Sequence, residues 1–351
     1  GGIEVYGTLV QELGFPSLRE VGDRIFIEDN EALRTFDFRA LESIYDAEYG
    51  EAHAPAECPG VCPQGFGVLS ILGNPALTGW VAPRLANVDA VGVIENQALK
   101  SFPAMPSLPP WIDLFIAGNP GLKDLDGLHG LTQIYRIVLE ANALESLGGL
   151  AGIQHIWSGL EVIHEPFLRS ASFPALLSAN VLVVGVNPLL ATISAPLLQQ
   201  VGITGTGGAD LRVSRGPRVA SLTLPGFILI GENQTLTELS FPALTTLAGE
   251  LALESNPALE NLRGFSSLTS QVGFVSILDN AALTSIGGLA GLGDALSADP
   301  IILGDLVISG NTALTDAAAM RFHDYLEAKF PGTAVDGSVT ITGNDGGGSM
   351  P

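Results

Sequence analysis

The chain has 351 residues, 46% of them hydrophobic and only 15% charged, with 43 Gly and 22 Pro spread along it. That length holds several ordinary domains or one long repeat array, and the regular Gly and Pro punctuate folded elements rather than a disordered chain. With 15 Lys+Arg against 37 Asp+Glu the net charge is −22, a surface that repels phosphate and so argues against nucleic-acid binding and docking on anionic lipid.

One short pattern recurs from end to end: apolar, any residue, apolar, two more, then Asn. The asparagines are Asn30, Asn74, Asn96, Asn119, Asn142, Asn187, Asn233, Asn256, Asn280, Asn311 and Asn344. The residues five and three positions earlier are apolar each time, as in Ile25/Ile27, Leu114/Ile116 and Val339/Ile341. A Leu usually follows three positions after the Asn and another large apolar residue six after, as in Leu77/Trp80 and Leu259/Leu262. Clean neighbours lie about 22–24 residues apart. Period-two alternation over a short run is a strand with one buried face, and its repetition predicts stacked parallel strands. A tight turn leaves backbone N–H and C=O groups without partners, and an inward Asn amide satisfies both kinds. The pattern therefore predicts an all-β solenoid with a structural Asn ladder.

Taken in chain order, Gly1-Gly2 reads as a processed or engineered end, and no signal peptide is seen. The first repeat closes on Asn30. Residues 46–65 are a Pro-rich, acidic loop insertion that holds Cys58 and Cys62. These two cysteines are read as a small-loop disulfide, with free thiols as the alternative, and two Cys alone make a poor zinc site. Trp80 takes the core position six after Asn74, and Trp111 precedes Asn119 by eight. Residues 150–180 match the pattern weakly, with Ser158 in the place of the Asn; they are a possible seam between two halves, although one continuous solenoid over 1–344 is the preferred reading. Residues 170–209 carry no formal charge, but Pro174, Pro188 and Pro196 fall at the spacing of the repeat, so a membrane-spanning helix is not expected. Gly216 stands in for Asn in one further repeat, and Gly205-Thr206-Gly207-Gly208 lacks the Lys and helix of a phosphate loop. The sequon at Asn233 falls on the ladder, so its amide is expected to point inward. Residues 316–329 read as a helix, capped by Thr315 or Asp316 and stopped by Pro331-Gly332. The tail 345–351 reads as flexible linker.

The string from Phe241-Pro242-Ala243-Leu244 through Leu251-Ala252-Leu253-Glu254-Ser255-Asn256-Pro257-Ala258-Leu259, and the similar run from Phe15-Pro16-Ser17-Leu18 to Asn30, resemble the receptor L-domain repeat of exported bacterial cell-surface proteins. The last stretch, from Asn311 through the helix to Asn344, is similar to the C-terminal repeat of the bacterial members, without the cysteines common there. The resemblance implies a right-handed, leucine-rich-like parallel β-helix outside the cytoplasm, with ligand binding or surface structure rather than catalysis. It supplies no functional residue, since the shared motif is structural.

Alternation also assigns the outward side chains. Four positions before the Asn they include Phe26, Phe115, Val138, Val183, Leu229 and Val307, a largely apolar stripe, with an acidic border at residues such as Glu28, Asp29, Glu95 and Glu254. The stripe is read as the binding or self-association surface, the alternative being that a loop of the chain covers it. The five histidines (His53, His129, His155, His164, His323) show no metal-ligand spacing. No nucleophile elbow or cofactor motif stands out. The expectation is a secreted or cell-surface recognition module for a protein or glycan partner, not an enzyme. A self-associating envelope component and a β-helix polysaccharide-active enzyme are the alternatives.

Overall fold

The structure, a computed structural model, describes residues 1–45, 67–202, 226–294 and 301–345. Cys58, Cys62 and the rest of the 46–65 insertion, Gly205–Gly208, Gly216 and the tail beyond Asp345 lie outside the described residues. The chain divides into two compact units, Gly1–Leu168 and Arg169–Pro351, and the division falls inside the 150–180 stretch. Both units are built on parallel β-sheet.

In the first unit the main strands are β1 (Ile3–Tyr6), β2 (Arg24–Glu28), β3 (Val68–Leu72), β4 (Ala90–Ile94), β5 (Asp113–Ala117), β6 (Gln133–Glu140) and β7 (His155–Ile163). They lie side by side in chain order, each parallel to the next. The register follows the repeat: Ile25 faces Leu69, Leu69 faces Val91, and Val91 faces Leu114. These side chains, and Ile27, Ile71, Val93 and Ile116 two residues on, have no exposed surface. Burying each contributes roughly 1.5–3 kcal/mol. Short strands Glu12–Gly14, Thr35–Asp37 and Gly79–Val81 form a second parallel sheet in the same unit. Within it Phe36 and Trp80 are partners in register and stack at 5.6 Å, so Trp80 is a core residue.

The second unit repeats the plan with β8 (Ser178–Gly185), β9 (Phe227–Gly231), β10 (Glu250–Glu254), β11 (Phe274–Leu278), β12 (Leu306–Ser309) and β13 (Val339–Thr342), again parallel and in chain order. Helix α1 (Asp316–Lys329) buries Ala319, Phe322 and Leu326, and Thr315 Oγ1 accepts from the Ala318 N–H at 3.0 Å.

Each turn follows one rule. The residue before the ladder position has a left-handed backbone: Asp29 (φ 54°), Glu95 (φ 56°), Ser255 (φ 56°) and Asp279 (φ 54°), with glycine there at 73, 118, 310 and 343. That residue turns the chain, and the next side chain points in. All eleven asparagines are 0–2% exposed. In the first unit Asn30 donates from its backbone N–H and its Nδ2 to Asn74 Oδ1 (3.1 and 3.0 Å), and Asn74, Asn96 and Asn119 donate in the same way to the next amide along. Nδ2 also reaches carbonyls, as in Asn74 to Ile27 O (2.8 Å) and Leu72 O (3.0 Å). In the second unit the run goes from Asn187 through Asn233, Asn256, Asn280 and Asn311 to Asn344. Asn233 lies inside this run, fully buried.

The weak stretch has a clear cause, and Ser158 is not the ladder residue. Ser158 sits within β7, and the ladder position is Glu165, preceded by His164 at φ 57°. Glu165 is fully buried, its Oε1 accepting from the Asn142 backbone N–H (3.2 Å) and Nδ2 (2.9 Å) and its Oε2 from the Leu144 N–H (3.1 Å).

Candidate functional site on the outward sheet face

With the inward positions fixed, the outward side chains of the first unit fall into three columns, six, four and two residues before each ladder group. On β2 they are Arg24, Phe26 and Glu28; on β3, Val68, Ser70 and Leu72; on β4, Ala90, Gly92 and Ile94; on β5, Asp113, Phe115 and Ala117. The middle column therefore reads Phe26, Ser70, Gly92, Phe115. Phe115 is 38% exposed and Phe26 half-buried, and the six outward residues of β3 and β4 are all half-buried and uncharged. Two small residues between two phenylalanines leave a shallow trough in the face, about three strand spacings or ~14 Å long.

Charged groups close it at each end. The Arg24 guanidinium lies 5.2 Å over the Phe26 ring and pairs with Glu4 at 2.8 Å, and the Ser70 hydroxyl donates to Glu28 Oε1 at 2.8 Å. At the other end Arg136 on β6 pairs with Glu161 on β7 at 2.8 Å. Burial pushes the carboxyls of Asp113 and Glu161 upward, and the Arg136 charge beside both draws them back. Arg136 Nε is buried and has no hydrogen-bond partner among the described residues. Along the turn edge runs a groove of about 570 Å³ lined by Asp29, Glu31, Gly73, Pro75, Glu95, Gln97, Gly118 and Pro120.

The structure treats the stripe residues unequally. Phe26 and Phe115 are accessible, and Leu229 and Val307 in the second unit are half-buried. Val138 and Val183 are corrections: they are 3% and 0% exposed and display nothing. Val138 lies between the larger Phe115 and Glu161 in register, and Glu161 is itself buried (3% exposed). Around Val183, Val181 and Phe227 on the same face are also buried (0% and 4%). Alternation says which way a side chain points, not what lies over it. Asp113, Arg136 and Glu161 were missed, although the same alternation read two positions earlier, and with Glu165 as a ladder group, places all three.

Among the described residues no group of three or more His, Cys, Asp or Glu is placed to hold a metal ion. His155 stacks on Trp157 at 6.0 Å. Among those residues no helix is long and apolar enough to cross a membrane. No family model matches the sequence, and no curated protein is found to be related to it.

Proposed function

We propose that the chain is a right-handed solenoid of the receptor L-domain kind, working outside the cytoplasm as a non-catalytic recognition module that takes a protein or glycan partner on its outward sheet face. The observation that carries this reading is the uncharged strip of β3 and β4, accessible and walled by Phe26 and Phe115, in a chain of net charge −22. An accessible apolar strip on an otherwise acidic surface is what an interface leaves when its partner is away. The hydrogen-bonded ladder fixes the turns that follow β3 and β4, and a frame set before the partner arrives lowers the ordering cost of binding.

The test is a pull-down from cell-envelope extract with immobilised protein, wild type against Phe115→Asp, an exposed position whose change leaves the core intact. A partner held by wild type alone supports the reading. A partner held equally by both moves recognition off this face, and recovery of only the protein itself favours the self-associating alternative. The Asp113 and Glu161 carboxyls, raised by burial on the same face, give a second reading as a polysaccharide-active enzyme. Release of reducing ends or unsaturated products from a polysaccharide, lost in Glu161→Gln, would establish it.

A further inference from the structure

Glycine inside a strand weakens it, and a fold tolerates one where backbone geometry or packing demands it or where something else must approach the sheet closely. Several glycines here answer to packing: a Cβ at Gly127 would overlap the carbonyls of Phe102 and Pro103, and one at Gly149 the carbonyl of Leu125. Gly92, in the middle of β4, answers to neither demand. Its φ lies outside the left-handed region, and a Cβ there would meet only the Ile94 Cδ1, at an ordinary 3.9 Å. It faces outward at the floor of the trough, beside Ser70 and Phe115.

Resting on the recognition reading above, we infer that Gly92 is kept open for a ligand, and that the trough between Phe26 and Phe115 seats an extended polypeptide segment with apolar side chains at its centre and Lys or Arg on its flanks. The floor selects against sugar. Ser70 is the one hydroxyl on it and already donates to Glu28, so hydroxyls buried there would lack partners. The rim selects for positive charge. Arg24 and Arg136 are held by Glu4 and Glu161, while Asp29 and Glu95 on the turn edge have no cation partner among the described residues. A segment crossing ~14 Å needs about four extended residues, and Lys or Arg side chains that it directs to the turn edge meet Asp29 and Glu95, which run alongside the trough.

The experiment uses the full chain as bait for a random dodecapeptide library, followed by titration of the enriched peptides, made synthetically, against wild type, Gly92→Ala, Gly92→Leu and Glu95→Lys. Enriched peptides should carry an apolar centre flanked by Lys or Arg. Gly92→Leu should weaken their binding tenfold or more, Gly92→Ala less, and Glu95→Lys should weaken it most at low salt. The urea midpoint of Gly92→Leu should equal or exceed that of wild type, because nothing in the fold needs the glycine. Unchanged peptide affinity in Gly92→Leu overturns the inference, as does a lowered midpoint, which would make Gly92 structural. Enrichment of peptides without basic residues, or Gly92-sensitive binding of neutral polysaccharides on a glycan array in their place, overturns the partner chemistry. In each of these cases recognition on the sheet face still stands or falls on the Phe115→Asp pull-down.

Discussion

A buried amide and a buried carboxylate do different work at the same position. Asn256 donates from its backbone N–H and Nδ2 to Asn280 and from Nδ2 to the carbonyls of Ile230 and Glu254. Asn256→Ala should cost about 1–3 kcal/mol by stranding those groups, read as a lowered urea midpoint. Glu165 can only accept while ionised. Burial pushes its carboxyl from the ordinary 4.5 up to about 7, against the pull of the donors from Asn142 and Leu144. The folded state thus holds the proton more tightly than the unfolded chain. The stability this brings is complete below about pH 4.5 and lost as pH rises through about 7, on the order of 3 kcal/mol in all. The unfolding free energy of wild type relative to Glu165→Gln should fall by that amount between pH 4.5 and 8, and a pH-independent difference would refute the assignment. Glu165 was legible in outline. His164-Glu165-Pro166 with Leu168 copies the frame of Ser255-Asn256-Pro257 with Leu259, but a search keyed to the amide passes over a carboxylate that offers the same acceptor.

Among the elements, α1 could be read to its ends, because its N-cap, its apolar stripe and the Pro331-Gly332 stop agree with one another. Thr315→Ala should cost about 1 kcal/mol, seen in thermal unfolding. The second role of its first residue was hidden: Asp316 Oδ1 accepts from the Asn344 backbone N–H (3.0 Å) and Nδ2 (2.9 Å). That contact joins residues far apart in sequence, which no local pattern reports. Asp316→Ala should leave the helix formed but speed amide exchange across β13, because the last ladder side chain loses its acceptor. The lengths of β6 and β7 were equally out of reach. Both run past the five-residue pattern, with an irregularity in register between Ile134 and Arg136, since pairing with a long neighbour extends a strand that its own sequence would end.

For the whole molecule, the parallel all-β class was legible because eleven copies of one weak local signal reinforce each other, and no single copy had to be perfect. The outward face was legible only in part. Inward positions are set by the repeat itself, whereas exposure depends on neighbouring side-chain lengths and on longer connections, which is why Phe115 and Val138 differ although both lie four before an Asn. The excess of acid is a property of the whole chain, 37 Asp+Glu against 15 Lys+Arg. The chain should not co-sediment with phosphatidylserine vesicles at physiological salt, and appreciable binding there would contradict the exclusion drawn from charge.

The ladders also have a direction. Every amide in the first unit hands its protons towards Glu165, and every one in the second towards Asp316. A row of side-chain dipoles lined up head to tail behaves as a small battery, with its positive pole at the donor end. Each described row has a carboxylate at that pole. Inner repeats are therefore exchangeable parts, since each takes from one neighbour what it gives to the other. The repeats that carry Glu165 and Asp316 are terminals, and moving either into the middle of a row would set a group that, when ionised, only accepts where the chain must also give.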